Sequence, residues 1–442
     1  MELKFINSKK SIIFISPYPE KGSYYTKKAG AVGGFNRNII ESLRKHFREN
    51  KYIIFSTNRK GGKIKVEKYY EDLYVLSGFS KFTILFLWQI LRNIFVFNKV
   101  NRIVIQFEFY LFGGIFNVLL FLFFFFVCWV SKKKVYLFLH QSVVSIEEIA
   151  EHIGLKRNSF FLKIVSLGYK VYLVLVGFLV YRVIVTEEVF RKRLSRIMPS
   201  YKIIFIPHGV DGRLVEINKS KAKESLCFPK DKFIVLFFGY LSWYKGADLL
   251  LEWADKMKEN EKYLFVFAGG EHPFLKDKVY YQKYIASFKR KYKNVIITGF
   301  VPEEKIPFYF SIADIVVFPY RIMMSSSGPL SLAFSFKKPV LLSERLKDYL
   351  ESEDFRQAVY EAGLSTDKLF FRLSFKDFFD KLINIDLRKL RKFSLLMRQK
   401  RDYLYIANRI GFSLELENSN ISLLPNYIRD WRRRLVFTSY KK

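Results

Sequence analysis

Two stretches in the second half of the chain combine residue types that can hold an anion. In "FFGYLSWYKGADLLLEWADKM" (Phe237–Met257) an apolar run ends at Gly239, and Lys245 precedes an amphipathic helical pattern. A lysine at a helix start stands beside backbone N–H groups without intrahelical partners, so its charge and the helix end can act on a phosphate together. Gly239 lets the chain turn close to a ligand. The second stretch, "FPYRIMMSSSGPLSLAFSFKKPVLLSE" (Phe318–Glu344), runs from an apolar segment into a serine-rich loop. Ser326, Ser327 and Gly328 can present hydroxyls and N–H groups where the next helix begins, and Pro329 suits a first helical position. Taken singly, each stretch has a plainer reading: a solvated lysine, and a serine cluster that caps a helix. What joins them is their order. Both loops follow strand candidates within one α/β segment, and open parallel sheets bind ligands at the C-terminal ends of their strands.

Those strands can be read along the chain. "SIIFISPYP", "KYIIFST", "RIVIQFEF", "KVYLFLHQ", "YRVIVTEE" and "YKIIFIPHGVD" are short apolar runs in the first half, separated by helix-length spans. The rhythm restarts after Pro229 with "KFIVLFFG", "KYLFVFAGG", "NVIITGF", "ADIVVFPY" and "KKPVLLSE". Alternation of this kind predicts βαβ units around parallel sheets, and 442 residues exceed one core. The expectation is two doubly wound α/β domains: residues 1–205, residues 206–394, and a crossover helix with a basic tail over 395–442. In "GGFNRNIIESL" the pair Gly33 and Gly34 precedes a helical pattern carrying Ile39, Ile40 and Leu43.

The stretch Phe109–Lys134, "FYLFGGIFNVLLFLFFFFVCWVSKKK", is uncharged until its lysines and long enough to span a bilayer. It lies between two strand candidates of one parallel sheet, and a crossover must return the chain to the same sheet. A span would leave the next strand on the wrong side. A crossover helix, buried or resting on the bilayer, is therefore expected. Lys81–Lys99 and Val171–Val185 are similarly apolar with cationic flanks, which suggests a face at a membrane interface; ordinary phenylalanine-rich core helices are the alternative.

Composition narrows the partners. Seventy-five Lys and Arg against forty-one Asp and Glu leave a net charge of +34, which favours anionic lipid, nucleic acid or phosphorylated substrates. No nucleic-acid module is recognisable, and the aromatics sit in apolar runs, so nucleic acid is set aside. Cys128 and Cys227 make no disulfide framework, which fits a reducing cytosol. The five histidines show no metal-ligand spacing and no D-x-D triplet occurs, so no metal or other cofactor is expected. The apolar run near the N-terminus reads as a first strand, since no small-residue cleavage site follows it.

"GGFNRNIIESL", "LFLHQSVVS", "IPHGVD", "FGYLSWYKGADLLL", "FVFAGG", "NVIITGFVPEEKIPFYFSIADIVVFPYR" and "SSSGPLSLAFSFKKPV" occur in the order seen in the retaining GT-B glycosyltransferases. The chain resembles that group (glycosyl transferases group 1, family 4-like) up to about residue 410. The resemblance implies a GT-B fold, two Rossmann-like domains facing across a cleft, with a nucleotide sugar as donor. It implies that Lys245 binds the donor diphosphate, that the loop Ser326–Leu330 holds phosphate and sugar, and that Phe300 and Val301 lie against the base. His140 would stand near the transferred sugar, Gly33 and Gly34 would close over the phosphate, and Leu395–Ile410 would cross back to the first domain. Many members carry two glutamates separated by seven residues; Met324 and Leu332 occupy those positions here, as in a subgroup with "SG" in that loop. The arginine usual in the phosphate loop is matched by Ser242.

These readings converge on a metal-independent, retaining hexosyltransferase-type enzyme in polysaccharide or glycolipid biosynthesis. Its acceptor would be a lipid-linked or other saccharide. It would be cytoplasmic, peripheral at the membrane and held to anionic lipid by "SKKK" and "YIRDWRRRLVF". The competing reading is a catalytically silent GT-B-like scaffold or partner subunit at the membrane.

Overall fold

Runs such as Ile12–Ile15 and Val235–Phe237 carry no polar face, and strands of that kind are stable only in sheets covered on both sides. The computed structural model describes residues 6–23, 30–57, 63–80, 85–112, 115–153, 159–273 and 275–416, and it contains two such sheets. The chain divides into two compact units. The first comprises Met1–Val144, Leu167–Gly209 and Tyr403–Lys442; the second comprises Ser145–Ser166 and Val210–Asp402. The junction expected at 205/206 thus falls at Gly209/Val210, and residues 145–166 and 395–402 pack with the second unit.

The first unit holds β1 (Ser11–Ser16), β2 (Lys51–Ser56), β3 (Lys65–Tyr70), β4 (Leu73–Ser77), β5 (Arg102–Phe107), β6 (Lys134–Leu139), β7 (Arg182–Val185) and β8 (Ile203–Phe205). Their order is β3-β4-β2-β1-β5-β6-β7-β8, parallel except for the antiparallel edge strand β3. That edge hairpin was not anticipated, because "KVEKYY" alternates charge with aromatics and has no continuous apolar run. The chain moves one way from β1 to β4 and the other way from β5 to β8, so the order reverses between β1 and β5. Right-handed crossovers then put helix α1 (Gly30–His46) on one face of the sheet. Helices α2 (Leu85–Val96), α3 (Ile115–Val130) and α4 (Phe160–Leu179, most of which lies in this unit) go to the other.

The packing agrees. On the α1 side, Ile12, Phe14 and Ile54 of the sheet share a core with Ile39 and Leu43, and with Ile406 and Ile410 of the helix Tyr403–Ser413. On the other side, the rings of Phe86 and Phe121 lie 6.4 Å apart, those of Trp129 and Phe178 lie 5.9 Å apart, and the Tyr172 hydroxyl donates to the Val118 carbonyl at 3.1 Å. The greasy stretch is therefore the crossover expected of it. Helix α3 joins the paired parallel strands β5 and β6, with Phe121, Phe124 and Phe125 fully buried. Helix α4 is long and apolar enough to cross a membrane, with a mean hydropathy of 1.7, yet it joins β6 to its neighbour β7 in the same way.

The second unit holds β9 (Phe233–Phe238), β10 (Tyr263–Ala268), β11 (Val295–Ile297), β12 (Ile315–Phe318), β13 (Val340–Ser343) and β14 (Phe370–Phe371) in the order β11-β10-β9-β12-β13-β14, all parallel. Here the order reverses between β9 and β12. Helix α5 (Ala247–Lys256) follows the loop after β9, and helix α6 (Gly328–Ser335) follows the loop after β12.

Two expectations need correction. Gly33 and Gly34 lie inside α1, both buried, because the apolar pattern of Phe35, Ile39 and Ile40 extends the helix back to Gly30. The single helix expected over Leu395–Ile410 is two, Leu387–Lys400 and Tyr403–Ser413. The break falls where Arg401 turns its nearly buried guanidinium onto Asp354 at 2.7 Å and the Val210 N–H donates to the Arg401 carbonyl. The basic tail "YIRDWRRRLVF" lies outside the described residues.

Candidate active site

In the second unit the reversal between β9 and β12 leaves the loops that follow them to diverge, and that opening is where α/β sheets take ligands. At the end of β9, Gly239 adopts φ +114°, a conformation that side chains rarely adopt. A Cβ there would lie 2.9 Å from the Lys245 Nζ and 3.1 Å from the Pro329 Cγ. Gly239, Lys245 and Pro329, far apart in the sequence, therefore meet at one point.

Lys245 ends a 3-10 turn, Trp243–Lys245, and is only 7 % exposed. The turn leads into α5 through Gly246, where glycine is required twice over: φ is +67°, and a Cβ would lie 1.9 Å from the Pro319 carbonyl oxygen. Arg321, from the loop after β12, holds the turn in place. Its N–H donates to the Tyr244 carbonyl at 2.8 Å and its Nη1 to the Trp243 carbonyl at 2.7 Å, while the guanidinium grips Asp248 with two 2.7 Å bonds. Such bidentate pairing fixes orientation as well as charge. Neither Arg321 nor Asp248 was singled out from the sequence, since nothing local marks residues 73 apart as partners.

The serine loop divides its labour. Ser327 caps α6: its Oγ accepts the Leu330 N–H at 3.2 Å and lies 2.8 Å from the Tyr320 hydroxyl, and its own N–H donates to the Tyr349 hydroxyl at 3.2 Å. The plainer reading holds for Ser327, and the Leu330 N–H is likewise engaged within the loop. The Gly328 N–H makes no hydrogen bond among the described residues, and Pro329 has none to offer. Ser326 and Gly328 both sit partly exposed at the start of α6. After β11, Val301 is buried while the Phe300 ring is 48 % exposed, an aromatic face at the same strand ends.

In the first unit the corresponding reversal lies between β1 and β5, and His140 follows the next strand, β6, its N–H donating to the Phe107 carbonyl at the end of β5. Its Nε2 lies 2.7 Å from the Gln106 Oε1, and the Gln106 Nε2 donates to the Asn36 Oδ1 at 3.2 Å. Phe35, which follows Gly34, packs edge-on against the His140 ring at 5.0 Å and against His208 at 4.8 Å. Burial, with His208 adding, pushes the His140 imidazole down to about 3, so it is neutral at pH 7. The Asn36 Nδ2 is buried without a partner among the described residues. Gln106 and Asn36 escaped the sequence reading because an amide in an apolar run looks like any solvated end.

Position 242 offers nothing cationic: Ser242 is fully buried and, among the described residues, its Oγ reaches only the Tyr240 carbonyl, at 3.5 Å. Met324, at one missing-glutamate position, is also buried. Among the described residues no three His, Cys, Asp or Glu side chains group as metal ligands.

Comparison with known proteins accords with this geometry. Residues 218–352 match the model of the family described as glycosyl transferases group 1. No curated protein sequence matches the chain. Among solved structures it is similar to a sucrose-phosphate synthase from Thermosynechococcus elongatus, with a TM-score of 0.63 at 15 % identity over 92 % of this chain and 98 % of that one. It is also similar to HepE from Anabaena in complex with UDP-glucose, with a TM-score of 0.61 at 13 % identity over 92 % and 99 %. WaaG, a glycosyltransferase involved in lipopolysaccharide biosynthesis, gives a TM-score of 0.59 at 12 % identity over 91 % and 99 %. Identities this low speak for the fold alone. Residues 218–352 thus match the glycosyl transferases group 1 family, and the chain as a whole has the GT-B fold.

Proposed function

We propose that this glycosyltransferase moves a hexose from a nucleotide-diphosphate sugar to a lipid-linked or saccharide acceptor, with retention, at the cytoplasmic face of a membrane. The observation that carries the donor reading is the meeting of Gly239, Lys245 and Pro329 at the ends of β9 and β12. The Anabaena neighbour is described in complex with UDP-glucose, and WaaG acts in lipopolysaccharide biosynthesis, which supports a nucleotide sugar and a glycolipid setting here.

Transfer breaks the bond between the anomeric carbon and the diphosphate oxygen. The electron pair stays with the phosphate, and the sugar ring becomes cationic. The acceptor oxygen bonds to the anomeric carbon from the same side, and its proton passes to the departing phosphate oxygen. Lys245 and the N-terminus of α6 supply fixed positive charge for the leaving group, which costs no reorganisation during reaction. On the first unit, neutral His140, oriented by Gln106, is the candidate hydrogen-bonding group. Phe300 offers its exposed ring to the base.

The membrane reading rests on α2, α3 and α4. Each turns a second apolar side outward: Trp88 and Phe95 on α2, Phe123 and Trp129 on α3, Leu167 and Phe178 on α4 are all at least half exposed. Apolar surface this extensive marks an interaction site. Exposed Arg92, Lys99, Lys132, Lys163 and Lys170 lie among or beside these residues in sequence, and their charge suits an anionic bilayer.

Thermal shift with a panel of UDP- and GDP-sugars tests the donor. One of them should raise the melting temperature of the wild type and leave Lys245→Ala unmoved; equal shifts would remove Lys245 from the site. Transfer or hydrolysis of any nucleotide sugar would reject the silent-scaffold alternative.

A further inference from the structure

Ser242 leaves the phosphate loop one cation short, yet two imidazoles reach the Lys245 turn from elsewhere. His152 comes from residues 145–166, which leave the first half of the sequence to pack in the second unit. It is only 6 % exposed, its ring stands edge-on to Tyr244 at 4.9 Å, and neither ring nitrogen has a hydrogen-bond partner among the described residues. His272 follows β10, its ring 5.3 Å from that of Tyr240. Its backbone N–H donates to the Tyr281 hydroxyl at 2.7 Å, which in turn donates to the Leu241 carbonyl at 2.7 Å. The loop from Tyr240 to Lys245 thus carries a histidine against each end.

We propose that His152 and His272 join Lys245 in a three-nitrogen seat for the donor's diphosphate, each imidazole taking up a proton as the dianion arrives. The proposal rests on the nucleotide-sugar reading above and replaces the missing arginine with residues distant in sequence. The groups facing these rings are Lys245 and Tyr244 at His152, and Lys245, His152, Tyr240 and Tyr281 at His272. The neighbouring Glu271 carboxylate is exposed, and Arg321 and Asp248 are spent on each other. Burial first and then Lys245 push His152 down to about 4; burial, Lys245 and His152 push His272 down to about 3. Both are therefore neutral at pH 7 in the free protein. A pyrophosphate diester reverses the local sign of charge, raises both imidazoles and makes protonation part of binding. Affinity should accordingly rise as the pH falls from 8 to 6.

Calorimetric titration of the full chain with UDP-glucose and with GDP-mannose, in PIPES and in Bis-Tris at pH 6.5, reads this directly. Both probes are pyrophosphate diesters without a titrating phosphate in that range, so buffer-dependent heat counts protons taken up by the protein. One to two protons are expected for the sugar that binds. His152→Gln and His272→Gln should each lower that number and weaken binding severalfold at pH 6.5 but much less at pH 8.5. Binding with the same heat in both buffers overturns the proposal and leaves the donor reading standing; that wild-type measurement decides even if a variant fails to fold. No binding by either probe overturns both.

Discussion

The crossover helices of the two units are built on different plans. In the second unit α5 buries Leu250, Leu251 and Trp253 and exposes Glu252, Asp255 and Lys256, and the helix Leu387–Lys400 exposes Arg388, Lys389, Arg391 and Lys392. Each has one apolar stripe, as a helix between sheet and water requires. In the first unit α3 buries Phe121, Phe124 and Phe125 and still exposes Phe123, Phe126 and Trp129. The inner stripe satisfies the sheet; the outer one does nothing for folding. The same doubly wound scaffold therefore presents charged helix faces to water on one unit and leaves apolar side chains bare on the other, and the proposed function gives the bare side to a membrane and the polar strand ends of the second unit to the donor.

That contrast can be broken, beginning with the largest effect. Phe121→Ala should cost about 3–5 kcal/mol of stability by opening a cavity, whereas Phe123→Ala, on the opposite face of the helix, should stay within about 0.5 kcal/mol in detergent-free urea unfolding. Similar losses would mean that the outer stripe is core. Lys245→Ala should lower transfer by about 10²–10³-fold while leaving sedimentation with anionic liposomes unchanged. A joint loss of both would join what the contrast keeps apart. The converse variant, Phe123→Ser with Trp129→Ser, should weaken partition onto those liposomes by at least about tenfold, each aromatic being worth about 1.5–3 kcal/mol when buried, with nucleotide-sugar binding intact. Added salt should weaken partition of the wild type further, because the rim cations are screened. The smallest effect is sought at Arg321→Lys, which keeps the charge but loses the two-pronged grip on Asp248. Donor affinity should fall severalfold in thermal shift, and no change would show that the Lys245 turn needs no clamp.

Much of this was legible in the residues. Continuous apolar runs fall on β1, β2, β5, β6, β9, β10, β12 and β13, because a strand buried on both faces leaves no choice of residue type. Gly239 and Lys245 stood out since a turn and a charge beside a helix start are local chemistry. Ser327 was visible under two readings and the structure uses it as a cap. What stayed hidden was pairing across the sheet. Arg321 with Asp248, Gln106 with His140, and His152 beside Tyr244 are each separated by more than 30 residues, and no periodicity encodes such meetings. The break at Arg401 and Asp402 was hidden for the same reason: its cause, Asp354, lies 47 residues away.

By itself, the amino-acid order determined which segments are strands and crossovers, since hydrophobic period and length are properties of the chain. It also determined that a lysine before a helix and a serine loop follow strands of one sheet. Only the tertiary structure decided that Lys245 and Pro329 share a point, that two histidines flank the lysine turn, and which side of each greasy helix is left bare. Those are outcomes of strand order and crossover hand, which set distances between residues that the covalent chain leaves far apart.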